Sequence, residues 1–159
     1  MKRMGSIAVA LMALALTSGL ARSQDGGFEK KTYNFNDWTK GRFSEMVTVV
    51  HPGKFITLAG IGAEEEGNGR NTMHKGDMLG QCRYAFMKIK KALATQNATL
   101  ADATRIVVFM TTMEPYADWV KCRTEAFGSG PLPASTVMQI SRLASPDMMI
   151  EINLDAVTK

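Results

Sequence analysis

The chain has 159 residues, of which 45% are hydrophobic and 21% charged, with a formal net charge of +4; that length suits one substantial core and argues against two domains. Lys2, Arg3 and Arg22 stand in the first 23 residues, where there is no acid, and beyond them 16 of the 19 basic residues face 15 acidic ones. With so small an excess, and no Lys/Arg cluster interleaved with aromatics, charge excludes a phosphate-tracking nucleic-acid binder.

Residues 1–23 read as a secretory signal peptide. Lys2 and Arg3 give a basic start, Ile7 to Leu16 is an unbroken apolar run, and Ala21-Arg22-Ser23 places small residues where a signal peptidase cuts. The run is about ten residues, half of the roughly twenty needed to cross a bilayer. A cleaved signal is therefore expected in preference to an anchor, with a mature chain starting near Gln24, no stable membrane insertion and a periplasmic or secreted location. In such a compartment Cys82 and Cys122 can form a disulfide. A small buried hydrophobe at Cys82 fits equally well, and the sequence leaves both readings open. His51 and His74 have no metal-ligand spacing with either cysteine, and neither a phosphate loop nor a nucleophile elbow is present.

Residues 24–40 are polar with scattered aromatics and no period, which predicts an irregular lead-in before a single domain over 41–159. Met46 to Val50 and Phe55 to Ala59 flank the turn sequence His51-Pro52-Gly53-Lys54 and predict an antiparallel pair. The charged Glu64 to Gly69 stretch reads as a solvated loop. From Asp77, a good N-cap, Cys82, Phe86, Ile89 and Leu93 recur at helical spacing, and Asn97 marks the stop. Thr104 to Thr112 is apolar on both faces and belongs inside a sheet. A second helix follows Thr112 or Glu114, with Pro115 in its first turn and Tyr116, Trp119, Arg123 and Phe127 inward. It ends at Gly128-Ser129-Gly130-Pro131. The last strand puts Ile150, Ile152, Leu154 and Ala156 on one face and Glu151, Asn153 and Asp155 on the other. This order predicts an α+β domain, a mixed sheet with two helices on one face. The other face lacks cover, and self-association is the simple remedy.

Phe43-Ser44-Glu45-Met46-Val47, the strand ending Ala59-Gly60, Asp77 with Gln81, Ile106 to Met110, Tyr116-Ala117, Pro133-Ala134 and Glu151 together resemble the reactive intermediate deaminase (Rid, YjgF-type) family. The likeness runs over roughly residues 42–157. It implies a chorismate-mutase-like fold, a homotrimer, and small-molecule clefts between subunits that need no metal or organic cofactor. In deaminases of the family, imines or enamines derived from amino acids are hydrolysed to 2-keto acids and ammonia. An arginine after Pro-Ala grips the substrate carboxylate, and a glutamate of the last strand orients or deprotonates water.

By that resemblance Glu151 matches the catalytic glutamate. The arginine position holds Ser135, the tyrosine position Phe43, a position that is often asparagine Val120, and the glutamine after Gly60 is Ile61. A guanidinium pairs with a carboxylate through two parallel charge-assisted bonds. Serine in its place forfeits about 1.5–3 kcal/mol of recognition. The expectation is therefore a binding cleft lined by Phe43, Val120, Ser135, Thr136 and Glu151, which takes an uncharged or cationic ligand and not a carboxylate. The alternative is a divergent imine or enamine deaminase in which Glu151 activates water and Ser135 hydrogen-bonds the substrate. A chaperone-like role rests on twelve methionines alone. Arg105, Arg123 and Arg142 are candidates to replace the missing arginine, none at the motif position.

Overall fold

Alternating apolar residues over 150–156 produce the strand around which the domain is built. The computed structural model describes residues 26–159, so the expected signal peptide lies outside the described residues. Strands are β1 (Glu29–Tyr33), β2 (Met46–Val50), β3 (Lys54–Ile61), β4 (Glu64–Glu65), β5 (Asn68–Thr72), β6 (Ala103–Met110), β7 (Ala134–Gln139) and β8 (Ile150–Thr158); helices are α1 (Met78–Ala94) and α2 (Tyr116–Phe127). The main sheet is four-stranded in the order β3-β8-β6-β7. β8 runs antiparallel to β3 and β6, and β6 runs parallel to β7. This is the expected mixed α+β arrangement. The doubly apolar β6 sits inside the sheet, where both of its edges are paired.

One face of the sheet carries Ile106, Val108 and Met110 from β6 and Ile150, Ile152, Leu154 and Ala156 from β8, all buried against Cys82, Phe86, Ile89 and Leu93 of α1 and Trp119 and Phe127 of α2. Burying each large apolar side chain contributes about 1.5–3 kcal/mol, so this face holds both helices. The start of α1 is fixed chemically as well. The Asp77 side chain accepts from the Gly80 N–H at 2.9 Å, and Gln81, fully buried, donates to the Asp147 carbonyl at 2.8 Å while its Oε1 accepts from the Met149 N–H at 2.8 Å. Gln81 thus clamps the segment that leads into Glu151, and Asp77 caps the helix that carries Gln81. Asn97 adopts φ +55°, the left-handed stop expected there, and Gly128 ends α2 at φ +59°.

Four expectations change. Residues 29–33 of the lead-in form β1, which pairs with β2, and Asp37–Thr39 form a single 3-10 turn with Thr39 fully buried. β2 and β3 do not pair with each other. The His51-Pro52-Gly53 turn instead carries the chain from the β1-β2 ribbon to the main sheet, where β3 pairs with β8. The charged 64–69 stretch is a small β4-β5 hairpin turning at Gly67. Tyr116, expected inward, is exposed, while Trp119, Arg123 and Phe127 of the same helix are buried. Cys82 and Cys122 form a disulfide that joins α1 to α2 across 40 residues.

Candidate functional site

Glu151 stands on the sheet face that no helix covers. Its cross-strand neighbour in β6 is Phe109, which in turn lies beside Met138 of β7, and the next row is Asn153, Val107 and Thr136. A Cβ built at Gly60 would overlap the Glu151 carboxylate, so the glycine that ends the Ala59-Gly60 motif makes the room in which the acid lies. Burial pushes the Glu151 carboxyl above the usual carboxylate range, and the charge of Glu64 adds to the rise. Burial also pushes Glu64 upward, but Lys88, whose Nζ lies 2.6 Å from the carboxylate, and the Gly62 N–H outweigh it and leave Glu64 below the usual range. Of these two acids Glu64 is held toward its ionised form and Glu151 toward its protonated form, a difference that suits proton transfer. Glu64 was not identified from the sequence, because its run reads as a solvated turn until Lys88 of α1 is placed against it.

Ser135 is elsewhere. In the parallel β6-β7 pair it aligns with Ile106, an inward residue, so its side chain turns to the helix side; Glu151 aligns with Phe109 on the opposite face and three residues further along β6. Three residues of strand span about 10 Å. Within one chain Ser135 and Glu151 therefore do not share a site. Thr136 does lie on the Glu151 face, beside Val107 of β6 in the row next to that of Glu151.

Phe43 and Val120 come together in a third place. They line a cavity of about 420 Å³ with Trp38, Arg42, Tyr116 and Arg123. The lead-in segment builds its wall. Glu45 accepts hydrogen bonds from the Asn36 N–H at 2.9 Å, the Asn36 side chain at 2.7 Å and the Thr39 hydroxyl at 3.1 Å, and the Asn34 side chain donates to the Phe43 carbonyl at 2.7 Å. Asn36 does most to hold the Glu45 carboxyl below its usual range. Trp38 is thereby set edge-on to Phe43, ring centres 5.7 Å apart. The Ser44 N–H donates to the Pro133 carbonyl at 3.0 Å and its hydroxyl to the Leu132 carbonyl at 2.5 Å, which places this wall beside the Pro-Ala-Ser motif at the start of β7.

Of the three substitute arginines, Arg105 and Arg142 are exposed. Arg105 lies on the uncovered face opposite Asp155. Arg123 is 7% exposed and lines the Phe43 cavity. In one chain the lining of this cavity includes two arginines and no carboxylate. Helix periodicity gave Arg123 an inward position, but nothing in the sequence placed it beside Phe43.

A family model described as endoribonuclease L-PSP matches residues 38–158. A RutC family protein of Pyrococcus abyssi is 29% identical over 112 residues, 70% of this chain and 83% of its own length, and one of Pyrococcus horikoshii matches to the same extent. Among solved structures, YyfB of Yersinia pestis, of the conserved Rid protein family, superposes with a TM-score of 0.69 at 21% identity, covering 81% of this chain and 98% of that one. The YjgF gene product of E. coli gives 0.59 at 20% identity, covering 76% and 91%. These likenesses show the chorismate-mutase-like α+β fold. The match over residues 38–158, with the fold and the motifs around Gly60, Gln81, Pro133 and Glu151, makes the chain a member of the endoribonuclease L-PSP family, the Rid (YjgF-type) family that its sequence resembles.

Proposed function

We propose that this protein is an exported Rid-family member that binds a small molecule in clefts between the subunits of a homotrimer, and that it is not a typical 2-imino acid deaminase. The observation that carries this reading is the separation of Ser135 and Glu151 onto opposite faces of one sheet. The Phe43 and Ser135 corner of one protomer can meet the Glu151 face of another, whereas one chain alone cannot bring them together. An uncovered sheet face bearing Phe109, Val107, Met138 and the 72% exposed Phe55 supports association of copies. The three-part signal at 1–23 and the Cys82–Cys122 disulfide support export. Serine at position 135 is the reason for setting the usual deamination aside.

A thermal-shift screen of the mature chain with small polar metabolites tests the binding reading, together with its mass in solution. Stabilisation by one compound class, lost in Val120→Arg, is the expected result. No shift with any compound, or a monomer at micromolar concentration, would overturn it.

Glu151 favours a second reading, a divergent imine or enamine hydrolase. Its raised proton affinity suits a group that takes a proton from water as the oxygen adds to an imine carbon and returns it to the nitrogen, then carries the proton of the resulting hydroxyl to the same nitrogen, which leaves as ammonia while the carbon becomes a carbonyl. Ammonia release from imines generated by an amino-acid oxidase, reduced at least about a hundredfold in Glu151→Ala, is the expected outcome of that reading. A rate unchanged by the substitution would remove it.

A further inference from the structure

We infer that the Cys82–Cys122 disulfide is a redox switch on the segment that carries Glu151, opened by a dithiol whose thiolate enters the groove between α1 and α2 and attacks the Cys122 sulfur. This holds for either reading above, because it concerns how the Glu151 segment is held and not what that segment binds. A cavity of about 450 Å³ lies between the two helices, with Phe86 and Cys122 in its floor and the exposed Arg83, Lys90 and Lys91 around it. Its lining comes from α1 and α2 alone, so it opens on the side of the helices away from the uncovered sheet face. Cys122 lines it, whereas Cys82, fully buried, does not.

The surroundings suit an attacking anion. Helix α1 carries Arg83, Lys88, Lys90 and Lys91 and no acid. Arg83 is paired with Glu125 and Lys91 with Glu66, each at 2.7 Å, while among the described residues Lys90 forms no ion pair. Cations at this rim draw a thiolate in and favour the charged form of sulfur over the neutral one. The thiolate bonds to Cys122 Sγ as the disulfide bond breaks, and Cys82 Sγ leaves with the electron pair and takes up, through solvent, the proton that the attacking thiol gave up. The second thiol of the reductant then loses its proton, attacks the mixed disulfide and releases Cys122 Sγ, which is protonated in turn. Two electrons and two protons pass to the protein, and the dithiol ends as a disulfide.

The bridge reaches Glu151 through its neighbour in the chain. Cys82 follows Gln81, whose side chain accepts from the Met149 N–H and donates to the Asp147 carbonyl, each at 2.8 Å. The Met149 carbonyl in turn accepts from the Thr111 N–H at 3.1 Å, two residues before Glu151. With the bridge closed, the early turns of α1 are tied covalently to the middle of α2. With it open, Phe86, Ile89 and Leu93 still pack against the sheet, but the turn that bears Gln81 has lost its covalent tether. The helix pair therefore stays folded while the bonds to residues 147–149 loosen, a local opening of the kind that precedes global unfolding.

Dithiothreitol is the probe, applied to the mature chain. Reduction should proceed at a rate proportional to dithiothreitol and unaltered by urea well below the unfolding transition. Lys90→Glu, a change at an exposed position, should slow it at least about fivefold at low ionic strength, with the difference shrinking as salt is added. The reduced chain should keep the far-ultraviolet circular dichroism of the parent, while the amide resonances of Met149 and Glu151 and the side-chain amide of Gln81 shift, and return on reoxidation. The double variant Cys82→Ala with Cys122→Ala should show the shifted positions without reductant. In Gln81→Met the bridge remains but its link to Met149 is cut, so reduction should leave the Glu151 resonance where it was; if that variant does not fold, the double alanine variant and reoxidation carry the test. Loss of the native fold on reduction, or unmoved Met149 and Glu151 resonances in a folded and fully reduced chain, would overturn the switch. A reduction rate that follows global unfolding and ignores Lys90→Glu would overturn the groove as its point of entry.

Discussion

The Glu151 carboxylate occupies the space that any side chain at Gly60 would fill. Two strands that are neighbours in the sheet, β3 and β8, are thus matched at one point by the absence of a side chain on one and an acid on the other. Gly60→Ala should displace the carboxylate toward solvent and cost about 1–3 kcal/mol by overpacking. A carbon-detected NMR titration should then find the Glu151 carboxyl lowered toward the ordinary carboxylate range. An unchanged titration would mean that the acid does not depend on this space.

Glu151 also sets a pH dependence of stability. Its folded-state proton affinity is raised by burial and by Glu64, so the native state holds this proton more tightly than the unfolded chain does. Stability from this group is fully present below the ordinary carboxylate range and declines as pH rises from there through the raised value. Glu151→Gln should therefore be more stable than the parent at neutral pH, with the gain shrinking on acidification. Parallel denaturant melts at neutral and acid pH check it; equal differences at both would contradict the assignment.

The Cys82–Cys122 bridge closes a loop of 40 residues between two packed helices. In the chain-entropy picture such a bridge is worth about 3–4 kcal/mol. Replacement of both cysteines by alanine should lower the melting temperature by on the order of 10 °C. Addition of reductant should destabilise the parent toward the double variant and leave the variant unaffected.

Phe109 is the central apolar residue of the uncovered face, between Glu151 and Met138. Phe109→Glu puts a charge there that a subunit contact would have to desolvate. The expected outcome is a monomer in light scattering, with the far-ultraviolet circular dichroism of the parent. A trimer that survives the change would place the subunit contact elsewhere.

Much of the architecture was legible because it rests on local periodicity. Period-two alternation over 150–156 separated a core face from a face bearing Glu151, and period 3.6 from Cys82 to Leu93 did the same for α1. These patterns survive any arrangement in which one face is buried. The β1-β2 ribbon escaped notice because its partners are 13 or more residues apart in sequence and its strand, Glu29–Tyr33, is mostly polar and exposed. Glu45 looks like any surface acid until Asn36 and Thr39 fold back onto it.

By itself the sequence determined the family, the order of the main elements, and the serine that follows Pro133-Ala134, since each is a matter of residue type and spacing along the chain. The tertiary structure decided which side chains meet. Parallel pairing of β7 with β6 sends Ser135 to the helix side and antiparallel pairing of β8 sends Glu151 to the other face, because a one-residue change of register in a sheet reverses every side chain. Packing of α1 beside α2 brings Cys82 to Cys122, and the hydrogen-bonded fold of residues 34–45 brings Phe43 to Val120 and Arg123. Contacts of that kind depend on distances between elements far apart in sequence, which no local pattern encodes.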